Sequence, residues 1–244
     1  QANSGGGGTR FGSTRRPRGV GIGSRGFLLL LDTPEFAISF FGAIKIGAVP
    51  VPVNTLLKTS EYHYILNNSR ARVAVVSEAL YPQIQGGEKV SHLEPLMVVA
   101  EAPPTRMDTD PHLFSELIAH SATRLEAEPT SKDDAAFWLY SSGAPGVHQA
   151  CVHLQHDMVV CAERYARGIL GMTESDRCFS VAKLFFAYGL GNALYFPLAV
   201  GATSILWPGP PKPQQVFEVI ERHRPTLFFS VPSNYAALLA HNRA

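Results

Sequence analysis

From Phe27 onward, short apolar runs alternate with segments whose apolar residues recur every three or four positions. FLLLL, residues 27–31, has the length and composition of a buried strand. After it, Asp32 and Thr33 are cap residues, Pro34 suits a first helical turn, and Glu35 lies where a helix dipole favours an acid. Phe36, Phe40, Phe41 and Ile44 then recur at helical spacing until Gly47. AVPVPVN, 48–54, reads as extended. Its two prolines assign it to a sheet edge or a strand exit, because proline cannot donate to a central ladder.

The alternation continues to the last residue. SEYHYILNNS predicts a helix, RVAVVSE and LMVVA predict strands, and HLFSELIAH predicts a short helix between polar, Pro-containing connections at 101–111 and 121–134. After the strand-like AAFWLY come a helix over 156–170, a turn at TESD, the strand CFSV, and a helix over 189–201 that carries Pro197. TSILW, QQVFEVIERHR, TLFFSV and YAALLAHNRA add strand, helix, strand and helix. Strands separated by helices predict an α/β fold with mainly parallel sheets flanked by helices.

Residues 1–26 lack this patterning. They are rich in Gly and Arg and read as a flexible, disordered segment ahead of a domain spanning 27–244. Gly21, Gly23 and Gly26 satisfy GxGxxG, but the dinucleotide fingerprint requires a strand before it and a helix after it. Here coil precedes the glycines and a strand follows, so that function is set aside.

Charge narrows the function classes. A formal net charge of +1 supplies no electrostatic drive toward nucleic acid or an anionic membrane. The most lipid-like stretch, 36–53, is interrupted by Lys45, Pro50 and Pro52, which argues against a span. Cys151, Cys161 and Cys178 form neither a CxxC pair nor an even framework, so a reducing cytoplasm is expected.

Two segments carry candidate chemistry. In YSSGAPG, Ser141, Ser142, Gly143 and Gly146 are small residues whose backbone N–H groups and hydroxyls can converge on phosphate oxygens. On spacing alone, a tight turn between two strands explains them better. The Walker pattern GxxxxGK[ST] is absent. In KLFFAYGLGN, Phe186 and Tyr188 bracket the small Ala187 ahead of Gly189, where a strand gives way to a helix. That arrangement makes a flat apolar slot where ligands of open α/β sheets gather, with plain core packing as the competing explanation. His153 and His156 lie near Cys151, but one falls in a strand and the other at a helix start, so no metal is expected. The sequon at Asn67–Ser69 is expected to be idle.

YSSG with Gly146, KLFFAYGLG, FFSVPSNYAALL and GAIKIGAVPVPVN together resemble the AMP-forming acyl-CoA synthetases of the adenylate-forming superfamily, and most closely the benzoate and 4-hydroxybenzoate–CoA ligase branch. The resemblance covers nearly everything from Phe27 onward. It implies an acid–thiol ligase that uses ATP, Mg2+ and CoA: an aromatic carboxylate attacks the α-phosphate, and the CoA thiol then displaces AMP. It also implies that Ser141, Ser142, Gly143 and Gly146 contact the ATP phosphates and that Phe186, Ala187, Tyr188 and Gly189 line the acid pocket. By the same resemblance, residues 27–244 are part of the large AMP-binding domain, and the catalytic Lys belongs to a C-terminal domain beyond Ala244.

The family loop runs Ser-Ser-Gly-Ser-Thr-Gly-x-Pro-Lys-Gly, whereas this chain carries Ala144, Pro145, His148, Gln149 and Ala150 at five of those places. Two hydroxyls, a backbone N–H and a cation are thereby lost. The expectation is a ligase fragment, inactive as given, with a degenerate phosphate loop. An aromatic-carboxylate-binding module without activation, or a structural remnant, stays open beside it. The missing strands are expected to leave sheet edges through which copies self-associate.

Overall fold

The structure is a computed structural model that describes residues 19–85, 97–99, 112–141 and 148–241. The chain forms two compact units. One draws its described residues from Gln1–Leu30 and Pro34–Gln155, the other from Leu31–Thr33 and His156–Ala244.

In the first unit a five-stranded parallel sheet has the order β2-β1-β3-β4-β5, with β1 Arg25–Leu29, β2 Val49–Pro52, β3 Val73–Ser77, β4 Met97–Val99 and β5 His112–Leu113. Among the described strands of this sheet β2 is an edge, so Pro50 and Pro52, opposite Gly26 and Leu28, sit where an absent N–H is tolerated. Helix α1, Pro34–Lys45, buries Phe36 and Phe40 completely and leaves Phe41 and Ile44 half-buried. Gly47, at φ +70°, takes the left-handed conformation that ends it. Helix α2 covers Thr59–Ser69. A hairpin of β6, Ala135–Ser141, and β7, Gln149–Leu154, completes the unit, with the Phe137 ring edge-on to Phe40 at 5.3 Å.

Two expectations need correction here. The chain is already structured before residue 27: Val20 is buried, Arg72 Nη1 donates to Gly19 O at 3.2 Å, and β1 begins at Arg25. Gly26 therefore lies inside a strand, and residues 1–18 lie outside the described residues. The segment HLFSELIAH does not start as helix. His112 and Leu113 pair with Met97 and Val98 as β5, and helix α3, Phe114–Ala119, follows. Joining a ladder supplies backbone partners that the first turn of a six-residue helix lacks.

In the second unit the parallel order is β10-β8-β9, with β8 Arg177–Ser180, β9 Thr203–Ile205 and β10 Leu227–Phe229. Successive residues of β8 serve opposite faces. Cys178 packs with Ala162, Ala166, Met172, Phe196 and Phe229. Phe179 packs with Val181, Ile205, Val216, Val219 and Leu238. Helix α4, Asp157–Cys161, widens into π turns over Ala162–Arg167. Helix α5, Ala187–Leu190, does the same over Gly191–Tyr195 before resuming over Phe196–Val200. Pro197 falls in the first turn of that resumed segment, which is why the helix survives it. Helices α6, Pro213–His223, and α7, Pro232–His241, complete the unit. Among the described residues no helix is long and apolar enough to cross a membrane.

Candidate functional site

The mouth of the β6–β7 hairpin is built from both strands and from α2. Ser141 and Gln149 are register partners, and Ser141 Oγ donates to Gln149 O at 3.4 Å. The His148 ring fills the space beside them, with Nδ1 3.2 Å from Ser141 O and Nε2 2.9 Å from Glu61 Oε1. Tyr64 Oη donates to His148 O at 3.1 Å, and Tyr140 Oη donates to Asn68 Oδ1 at 2.6 Å. Glu61 also accepts the Lys58 backbone N–H at 2.8 Å; that bond first, and His148 second, holds its carboxyl below the usual range. Ser142, Gly143 and Gly146, with Ala144 and Pro145, lie outside the described residues. The turn-between-strands expectation fits the antiparallel pairing on either side of them. Gln149, at the family's Lys position, is exposed.

The second cluster follows the carboxyl end of β8, the central strand of its sheet. Phe186 has extended backbone (φ −94°, ψ 142°) and Ala187 opens α5. Phe186 and Tyr188 are 47% and 44% exposed, which decides against plain core packing for these two rings. The Phe185 ring supports Phe186 at 4.5 Å, and Tyr188 Oη donates to Ser230 O at 3.3 Å. Ala187 between them is exposed as well. Gly189 is buried, and a Cβ there would lie 2.2 Å from Lys183 O and 2.4 Å from Ala182 O. Its missing side chain lets the helix start rest on those carbonyls.

Asp32 and Thr33 depart from the expected capping role. Asp32 Oδ1 accepts the Leu184 N–H at 3.1 Å and Oδ2 lies 3.7 Å from Lys183 Nζ, while Thr33 Oγ1 is buried without a hydrogen bond. Lys183 Nζ donates to Trp207 O and Gly209 O, both at 2.6 Å. Burial pushes the Asp32 carboxyl up to about 6 against the opposing pull of Lys183, and burial lowers the Lys183 ammonium. Sequence reasoning missed this pair, as it missed Glu61–His148. A lone Asp before a Pro-Glu helix start reads locally as a cap, and its partner Leu184 lies 152 residues away.

His153 and His156 serve separate local contacts. The first stacks on Phe137 at 4.4 Å, and the second stands at the start of α4, 3.3 Å from Asp157. Among the described residues no group of three His, Cys, Asp or Glu could hold a metal ion. Ser141 belongs to the first unit, and Phe186, Ala187, Tyr188 and Gly189 to the second.

Parallel sheets flanked by helices, matched in solved relatives, define the class: the N-terminal domain of adenylate-forming enzymes. The family of AMP-binding enzymes matches residues 9–244, and the chain belongs to it. The chain is 48% identical to the benzoate–CoA ligase of Thauera aromatica over 218 residues, which is 89% of this chain and 40% of that protein. It is 41% identical to the 4-hydroxybenzoate–CoA/benzoate–CoA ligase of Rhodopseudomonas palustris over 227 residues, 93% of this chain and 41% of that protein. Its fold matches the anthranilate CoA ligase AuaEII, solved with anthranoyl-AMP, at a TM-score of 0.90 with 37% identity, covering 96% of this chain and 45% of that one. A benzoate CoA ligase from Burkholderia xenovorans LB400 matches at 0.84 with 41% identity over the same shares of the two chains. The chain thus spans about two fifths of the length of the curated relatives it matches.

Proposed function

We propose that this chain is a fragment of an aromatic carboxylate–CoA ligase, inactive as given, with β1 and the elements that follow it belonging to the large AMP-binding domain. The Phe186–Ala187–Tyr188 step takes the ring of a benzoate-type acid. Ser141, Ser142, Gly143 and Gly146 face the phosphates of ATP, which brings Mg2+ as its own counter-ion. The acid oxygen attacks the α-phosphorus, pyrophosphate leaves, and the CoA thiol then displaces AMP from the acyl adenylate. The observation that carries this reading is the pair of exposed aromatic rings flanking an exposed alanine beyond the central strand. Gly189, buried beside Lys183 O, supports the step from within.

A second reading is favoured by Gln149 and the other loop departures: a module that holds an aromatic carboxylate without adenylating it. Calorimetric titration with benzoate and with MgATP, followed by a pyrophosphate-release assay on the mixture, separates the two. Benzoate binding with pyrophosphate release supports the ligase reading. Benzoate binding with neither MgATP binding nor pyrophosphate release supports the module, binding of both without release is the outcome for a ligase fragment inactive as given, and the failure of benzoate to bind removes both.

A further inference from the structure

We propose that Asp32 and Lys183 are positioning residues for the aromatic step, holding the turn at 181–186 in the conformation that presents Phe186 and Tyr188 on either side of Ala187; this rests on the reading that the step takes an aromatic carboxylate. The turn joins β8 to α5, and its two ends are fixed by Val181 N–H to Phe229 O at 3.0 Å and by Leu190 N–H to Phe186 O at 2.8 Å. Its backbone is held by Phe186 N–H to Lys183 O at 3.0 Å, by Ser180 Oγ to Ala182 O at 3.2 Å, and by Leu184 N–H to Asp32 Oδ1 at 3.1 Å. The Lys183 side chain then fastens the same turn to the carbonyls of Trp207 and Gly209, beyond β9. One carboxylate and one ammonium thus tie the turn to two distant segments of the same unit.

Packing does not require charges here. An apolar pair of similar volume would serve stability as well or better, because burying two ions costs more than their attraction commonly returns. What an ion pair adds is direction. The ammonium has three donors, and here they face two carbonyl oxygens and a carboxylate. Leu184 is fully buried and Asp32 nearly so, which leaves water little access to substitute for either partner. The start of α5 lies on this turn through Gly189, where no side chain intervenes between the helix and Lys183 O. A displaced turn therefore displaces Phe186 and Tyr188 with it.

The test pairs two measurements on the full chain: amide hydrogen exchange by mass spectrometry, and benzoate affinity by calorimetry. Asp32→Ala and Lys183→Met are expected to speed exchange at 182–190 while 213–223 stays protected, and to weaken benzoate about 10-fold or more. Asp32→Asn keeps an Oδ1 acceptor for the Leu184 N–H and is expected to restore most of that protection, which also covers the case of an alanine variant that does not fold. Unchanged exchange at 182–190 in the variants overturns the proposal. Faster exchange throughout the second unit also overturns it, because the pair would then only hold the fold. If the unmodified chain fails to bind benzoate, the ligase reading falls, and the exchange data alone still decide whether the pair positions the turn.

Discussion

His148 Nε2 lies 2.9 Å from Glu61 Oε1, joining the start of β7 to the first turn of α2 across 87 residues of sequence. The same ring touches Ser141 O, so one side chain closes the hairpin mouth and anchors it to a helix. In the family pattern a Pro stands at this position. Here the site carries a titratable ring whose hydrogen-bonding partner is an acid.

Replacing that acid should show its effect only above the carboxylate range. The Glu61 carboxyl is held below its ordinary 4.5, first by the Lys58 N–H and then by His148. A depressed carboxyl contributes stability above its unfolded pKa and loses it as pH falls through the folded value. Glu61→Gln should therefore lower the urea midpoint at pH 7, and the gap to the unmodified chain should close below pH 4.5. Midpoints measured from pH 3 to 7 check this, and a gap independent of pH would refute it.

Gly189→Ala should destabilise the second unit by about 3 kcal/mol or more, at the upper end of ordinary overpacking. The new methyl would fall 2.2 Å from one backbone carbonyl oxygen and 2.4 Å from another, and backbone cannot swing aside as a side chain can. Chemical denaturation followed by Trp fluorescence measures the loss. A change below about 1 kcal/mol would mean that the turn beneath the helix yields freely.

Arg224→Gly should stabilise by about 0.5–1 kcal/mol. Arg224 caps α6 at φ 46° and ψ 62°, with its N–H on Ile220 O at 2.7 Å, a left-handed conformation that glycine adopts without a Cβ penalty. The gain exceeds the added unfolded-state freedom of glycine only if that strain is present. Thermal denaturation of the single variant decides.

Much of this architecture was legible in the sequence because burial selects apolar residues with the period of each element. FLLLL, RVAVVSE and CFSV became strands β1, β3 and β8, and the prolines of AVPVPVN placed β2 at an edge. The surroundings of Phe186 and Tyr188 were less legible, because core packing competed with an open slot in the sequence; both rings are exposed. What local patterning does not encode is long-range polar pairing. Asp32 looks like a cap until Leu184 and Lys183 fold against it, and Glu61 looks like an ordinary first-turn acid until His148 arrives. The π turns within 162–167 and 191–195 likewise leave the apolar spacing nearly helical, so the sequence period does not register them.

The Asp32 carboxyl gives a pH dependence of the opposite sign to Glu61. Its pKa is raised from 3.8 to about 6, so the protonated form is favoured in the folded chain. That contribution is complete below the unfolded value and is lost as pH rises through the folded one, an amount of at most about 3 kcal/mol. Asp32→Asn, neutral at every pH, should gain stability relative to the unmodified chain between pH 4 and 6 and hold a constant margin above. Subtracting the two denaturation series removes the carboxyls common to both. A difference that is flat from pH 4 to 6 would contradict the burial argument.

The strongest test of the nucleotide reading is to restore the donors the loop lacks. Gln149 is exposed at the start of β7, opposite Ser141, so a lysine there keeps its ammonium in water until a phosphate arrives and carries no burial cost. A charge-assisted hydrogen bond contributes about 1.5–3 kcal/mol, equivalent to roughly 10- to 150-fold in affinity. Gln149→Lys should therefore tighten MgATP binding by about 10-fold or more. Adding Ala144→Ser and Pro145→Thr should tighten it further, because the second change returns a backbone N–H as well as a hydroxyl. Calorimetric titration with MgATP in low salt reads the effect, and raising the salt should erode the lysine's share while sparing that of the hydroxyls. If the triple variant binds MgATP no better than the unmodified chain, the hairpin mouth is a turn and nothing more.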